Sequence, residues 1–236
     1  MKRVAAIILI LIPFLSASAG KPDAGRVSMP SFTWDLKFGF SATETYMNHA
    51  EADGHTLKKY SQDTQVGHFF SINGHYNSRL YYIKTGIGIN KNKSTFYIDL
   101  NSWDENSERK NELGITTSAF NLSIPLQTGI HIVNNEPYSM SLFTGPKIRV
   151  PFVDDASSTI LGTNDSDISE SLAELNWGWT IGLTVRTGST LIEFEYEIGI
   201  SNISKGFTGT YNGVNTDGMR LDRHVNILSF SYGIVF

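Results

Sequence analysis

The last eleven residues constrain the fold more than any other stretch of the chain. From Asn226 to Phe236 they read N-I-L-S-F-S-Y-G-I-V-F, with Leu228, Phe230, Tyr232, Ile234 and Phe236 recurring at every second position. Ser229, Ser231, Gly233 and Val235 fill the alternate positions, and most are small. A period of two with one bulky apolar row describes a β-strand with two unlike faces. The open question is which face points inward.

The same alternation recurs upstream. Phe32, Trp34, Leu36, Phe38 and Phe40 oppose Asp35, Lys37 and small residues. A less regular run, 65–72, places Val66, His68, Phe70 and Ile72 on one face, and 73–78 reads as a tight reversal. Residues 79–90 set Tyr81, Ile83, Ile87 and Ile89 against Tyr82, Lys84 and Asn90. The patch 95–100 extends this hairpin beyond the core. A fourth run, 120–132, contains Pro125, which lacks a ladder N–H and predicts a local irregularity. The fifth, 138–150, carries Lys147 and Arg149 opposite its apolar row. The sixth and seventh, 175–186 and 191–200, flank the tight turn 187–190 and bear Arg186, Glu193, Glu195 and Glu197. A two-residue turn at Gly188-Ser189 predicts the pairs Thr187–Thr190, Arg186–Leu191, Thr184–Glu193, Gly182–Glu195 and Thr180–Glu197.

Residues 1–19 have the grammar of a secretory signal peptide: Lys2 and Arg3, an apolar core over 4–14, then Ala17-Ser18-Ala19. Residues 20–30 read as a short periplasmic leader and 31–236 as one domain. Removing the two positive charges of the signal takes the formal net charge from −4 to −6, which disfavours nucleic acid as a partner. The chain has no cysteine, so neither disulfides nor a lipidated thiol holds it. An exported chain without an apolar run of about 20 residues can still span a membrane as a β-barrel, which satisfies every backbone group in lipid.

Strand number, strand length and loop alternation point the same way. The eight runs are mostly near the roughly 9–11 residues that cross a bilayer, and their connections alternate long and short. The expected fold is therefore all-β: an eight-stranded antiparallel up-and-down transmembrane β-barrel with long extracellular loops and short periplasmic turns. Bulky rows face lipid, and Asp35, Lys37, Lys84, Lys147, Arg149, Arg186, Glu193, Glu195 and Glu197 form a charge network in a plugged lumen. Lys147, Arg149 and Lys37 are the expected partners of the glutamates, with Arg186 diagonal to Glu193. By the same parity a charge at Phe194 or Leu183 blocks insertion, while one at Thr180 is tolerated far better.

The chain resembles the PorT-like outer membrane protein beta-barrel domain group of the Bacteroidetes, related in architecture to the OmpA and OmpX barrels. The resemblance rests on Leu122-Ser123-Ile124-Pro125-Leu126, on Gly199-Ile200-Ser201-Asn202-Ile203 and on the C-terminal run. In that run Phe230, Tyr232, Ile234 and Phe236 look like the signal read by the outer-membrane assembly machinery. The resemblance implies an outer-membrane protein of a Gram-negative bacterium, surrounded by lipid and lipopolysaccharide and inserted by the assembly machinery. It implies no catalytic residues, cofactor or metal. A structural or interaction role through the outer loops leads, with an envelope protein as a possible partner. The alternatives are a part of a secretion or gliding apparatus, a lipid-modifying enzyme using His68, or a soluble lipocalin-like carrier. Asp154, Asp155, Asp165 and Asp167 lack the spacing of a calcium loop and read as solvated. His131 reads as an inward residue with a local polar contact. Trp34, Trp177, Trp179, Tyr81, Tyr138 and Phe236 read as interfacial anchors.

Overall fold

A computed structural model describes residues 32–236 except 53–54, 58–59, 79, 100–111, 136, 153–156, 162–168, 209, 212–213 and 216–218. The expected signal peptide and leader lie outside the described residues, as do Asp154, Asp155, Asp165 and Asp167. The strands, in chain order, are β1 (Phe32–Ala52), β2 (His55–Thr56), β3 (Tyr60–Asp63), β4 (Gln65–Asn77) and β5 (Tyr81–Asp99). Then come β6 (Glu112–Asn135), β7 (Tyr138–Pro151), β8 (Ser157–Leu161), β9 (Ser169–Leu172) and β10 (Asn176–Thr187). The chain ends with β11 (Thr190–Gly199), β12 (Ser204–Thr208), β13 (Thr210–Tyr211), β14 (Val214–Asn215) and β15 (Arg220–Val235).

The expectation of an eight-stranded up-and-down barrel joined by loops is corrected. The described residues form fifteen strands, and eleven of them share one antiparallel sheet. Its order is β3-β5-β4-β1-β15-β11-β10-β7-β6-β8, with β2 on β1 and an additional β5–β6 pairing. β9 with β12, and β13 with β14, make two small separate sheets. Much of what reads as long outer loops is β-structure: β1 runs 21 residues and β6 runs 24, well beyond a bilayer crossing. The reason is a change of solvent. Up to Ala42 on β1 and Leu228 on β15, bulky residues point outward and polar ones inward. Beyond that level the pattern inverts: Met47, Phe96, Ile98, Leu113, Ile115, Met219 and Leu221 are buried inside, as in a protein surrounded by water. Alternation persists through the change, but its sense reverses, so a search for outward apolar rows stops too early.

One local expectation also changes. Residues 73–77 are not a reversal but the end of β4, paired with β1 from Asn73–Asp35 to Tyr76–Phe32. Their polar side chains are held inside rather than by a turn: Asn73 Nδ2 donates to Asp35 at 2.7 Å and Asn77 Nδ2 to Thr33 at 3.1 Å. His68 keeps the face read for it with Val66, Phe70 and Ile72: it is exposed, in regular register with Phe40 and Lys91.

Other readings hold. All five pairs expected across β10 and β11 are present. Gly188, at φ +59°, supplies the left-handed residue that turn requires. β6 continues through Pro125, while pairing with β5 skips Ile124 and Pro125 and pairing with β7 skips Leu126 and Gln127. Extension of β5 to Asp99 places the 95–99 patch on a hairpin beyond the lipid level. Trp177, Trp179, Tyr81, Tyr138 and Phe236 all stand exposed on the outer face.

Candidate functional site: an ion-paired interior

The inward rows stack in three levels. At the end of the short turns, buried Asp35 accepts from Asn73 and contacts Nε2 of His75. The ring of Tyr82 lies between His75 and His131, with centroids 5.5 and 5.2 Å away. His131 Nδ1 meets Ser141 Oγ at 2.8 Å, the local polar contact expected for it.

Above this lies the charge cluster. Lys37 Nζ donates to Glu193 Oε1 at 2.5 Å, and Lys84 Nζ reaches the two oxygens of the same carboxylate at 3.2 and 3.1 Å. Thr184 Oγ1 donates to Glu193 Oε2 at 2.9 Å. The sheet curls far enough for this: Lys84 on β5 and Glu193 on β11 are four strands apart in sheet order. The Lys84 ammonium also sits 3.7 Å from the centroid of the Phe143 ring. Lys147 Nζ donates to Glu195 Oε1 at 2.6 Å and lies 3.7 Å from Glu197. Gln127 Nε2 donates to Glu195 at 2.9 Å and to Thr180 Oγ1 at 2.7 Å. Arg149 Nε lies 2.8 Å from Glu197 Oε1.

Eight of the nine residues expected in a charge network thus line the interior together, seven of them buried and Lys147 partly so: Asp35, Glu193, Glu195 and Glu197 against Lys37, Lys84, Lys147 and Arg149. With equal numbers of each sign, no ion is left to bear desolvation alone, which is the condition for burying charge at all. Arg186 is the exception. It reads as a diagonal partner of Glu193, but that carboxylate already receives two lysines and Thr184, and Arg186 Nε instead donates to Gly188 O at 2.7 Å. The tolerance expected at Thr180 is corrected too. Thr180 has no exposed surface, accepts from Gln127 and donates to Gly145 O at 2.8 Å, so no room exists for a longer, charged side chain.

Sequence reasoning missed Asn73, His75, Gln127, Thr184 and Phe143 as supporting members. Asn73, His75 and Asn77 do recur at period two, and that spacing was the available signal. Phe143 illustrates the remainder: its ring covers Gly182, where an added Cβ would lie 2.2 Å from Phe143 Cζ. Gly182→Val should therefore displace the ring from Lys84 and destabilise the protein by about 1–3 kcal/mol, the usual range for overpacking. Urea unfolding in detergent measures it, and an unchanged midpoint would refute the packing account.

The third level is small and polar, then apolar. Thr43, Asn92, Ser94, Thr117 and Asn176 line a cavity of about 50 Å³. A second cavity, of about 30 Å³, lies among Lys37, Glu193, Glu195 and Ser229. Each has room for only a few waters. Above them the apolar cluster of Phe96, Ile115, Phe207 and Met219 fills the interior. Arg223 is buried there, ion-paired to Glu170 of β9 and lying 4.3 Å from the Phe96 centroid. Among the described residues no group of three or more His, Asp or Glu is placed to hold a metal ion. The C-terminal residues Phe230, Tyr232, Ile234 and Phe236 all project outward.

The profile of a family described as Outer membrane protein beta-barrel domain matches residues 26–205. No curated protein sequence matches the chain. Among solved structures, the outer membrane protein OprG from Pseudomonas aeruginosa is similar at 11% identity and a TM-score of 0.55, over 87% of this chain and 96% of that one. Ail, the attachment invasion locus protein of Yersinia pestis, is 12% identical with a TM-score of 0.38, over 87% and 99% of the two chains. Neisserial surface protein A is 11% identical with a TM-score of 0.37, over 86% and 95%.

Proposed function

Because the chain belongs to the outer membrane protein beta-barrel domain family and resides in the outer membrane, we propose that it is a non-catalytic structural or interaction protein whose extracellular β-extension does the work. The observation that carries this reading is the filling of the interior. The ion pairs of Lys37, Lys84, Lys147 and Arg149 occupy the lipid level, and an apolar cluster occupies the level above it. A lumen of this kind offers water no continuous path, so transport is the weaker reading. The extension, by contrast, has a core of its own, and a rigid projection loses less entropy on meeting a partner than a floppy loop does.

In this reading Asp35, Lys37, Lys84, Lys147, Arg149, Glu193, Glu195 and Glu197 form the lumen network, and Arg186 stands outside it at the turn. Phe230, Tyr232, Ile234 and Phe236 are the assembly signal. Lipid and lipopolysaccharide surround the band, and the assembly machinery is the partner during insertion. The finer kinship to PorT-like proteins of the Bacteroidetes rests on residues 122–126, 199–203 and 230–236. Reconstituted into planar bilayers, the protein should show no stable conductance; steady ohmic channels would overturn the plugged-lumen reading. Crosslinking on intact cells should capture an envelope protein through the extension, and recovery of secretion components would assign it to that apparatus.

A further inference from the structure

We propose that His68, Lys91 and Lys93 form an outward docking site for the phosphates of an outer-leaflet lipid, the phosphorylated headgroup of lipopolysaccharide. The proposal rests on the outer-membrane placement alone, and it does not depend on what the extracellular extension binds.

The three residues stand on adjacent strands at one level. His68 on β4 is the register partner of Lys91 on β5, and Lys91 is the partner of Phe120 on β6. Lys93 follows two residues on, paired with Ser118. All share the outer face with the exposed Val66, Phe70 and Ile89. That level is where the outward apolar row of β5 ends: Ile87 and Ile89 lie in the band, and Lys91 and Lys93 come next. A bilayer changes there from acyl chain to phosphate. Lysines at this height hold point charges against headgroups while their stems stay on apolar surface.

Two further observations narrow the occupant. Among the described residues neither lysine has an ion-pair partner. Among the described residues Asp63 on β3 lies opposite Thr95 on β5, and Glu44 on β1 is engaged by Gln62 at 3.0 Å. Lys91 Nζ instead rests 5.0 Å from the Phe120 ring centroid, which orients it without neutralising it. The cationic character is also local. On β1 and β15 the same boundary carries Glu44 opposite Asn226, so the outward charge selects one sector, β4 to β6, rather than a uniform belt. An anionic headgroup seated there would lay its acyl chains over Phe70, Ile72, Ile87 and Ile89.

The test uses the full chain in detergent, with phosphorylated and dephosphorylated lipid A as probes and native mass spectrometry of retained lipid as readout. Wild type should retain the phosphorylated form preferentially. Lys91→Gln with Lys93→Gln should lower that retention roughly tenfold or more, since each cation near an anionic surface contributes about 1 kcal/mol. Lys91→Arg with Lys93→Arg should restore it, and inorganic phosphate should not displace the lipid. Both side chains point away from the core, so the heat-dependent gel shift of the folded protein should survive; should the double variant fail to fold, Lys93→Gln alone carries the test. Equal retention of both lipids, unchanged retention in the folded variant, or displacement by inorganic phosphate would each overturn the proposal.

Discussion

Glu193→Ala should abolish folding. The substitution strands two buried ammonium groups, Lys37 and Lys84, that share this one carboxylate at 2.5 to 3.2 Å. Breaking one buried pair by removing a partner costs about 3–5 kcal/mol, and here two cations lose their counterion together. Glu195 cannot substitute, because it is held by Lys147 and Gln127. Glu193→Gln keeps the shape and an acceptor but not the charge, so it should fold poorly rather than not at all. Removing the charges jointly, with Glu193→Leu, Lys37→Met and Lys84→Met, should recover much of the loss, since a packed apolar cluster is often no worse than the ion pairs it replaces. The yield of the heat-modifiable folded form, and its urea midpoint in detergent, are the measurements. A Glu193→Ala protein as stable as wild type would show that the network does not hold the fold.

Phe194→Lys should prevent membrane insertion. Phe194 is half exposed at the middle of β11, paired with Leu183 on β10 and packed at 4.9 Å against the Phe230 ring. A lysine on the lipid face of a barrel near the bilayer midplane costs roughly 2–4 kcal/mol. The lost aromatic contact adds to that, and Leu183→Lys should behave alike. Phe194→Leu, which keeps the face apolar, is the control. Incorporation into liposomes, scored by protection from added protease, separates them. Equal incorporation of Phe194→Lys and Phe194→Leu would mean that this face does not meet lipid.

What parity could foresee was the sorting of faces. Glu193, Glu195 and Glu197 recur at period two opposite Phe194 and Tyr196, so one face had to be charged whatever surrounded it. Which lysine meets which glutamate was not legible. That depends on how far the sheet curls and on the stagger of β5, β1 and β7 against β11, distances that run through the interior and not along any strand. Arg186 shows the gap. Two residues of register put it within reach of Glu193, yet Lys37 and Lys84 arrive from strands remote in sequence and saturate that carboxylate first. Asn73 and His75 show a second one, because the residue types that build turns also build polar interiors, and only the presence of buried Asp35 tells them apart.

By itself the sequence determined the alternation, the β10–β11 register set by a two-residue turn, and an exterior suited to lipid, because these follow from neighbours along the chain. Strand extent beyond the membrane, the eleven-stranded sheet and the ion-pair partners were decided only in three dimensions. Above Ala42 and Leu228 the surroundings change from lipid to water, and the inside and outside of the same period-two pattern exchange roles. A period reports that two faces differ; the medium outside each level decides which one is buried.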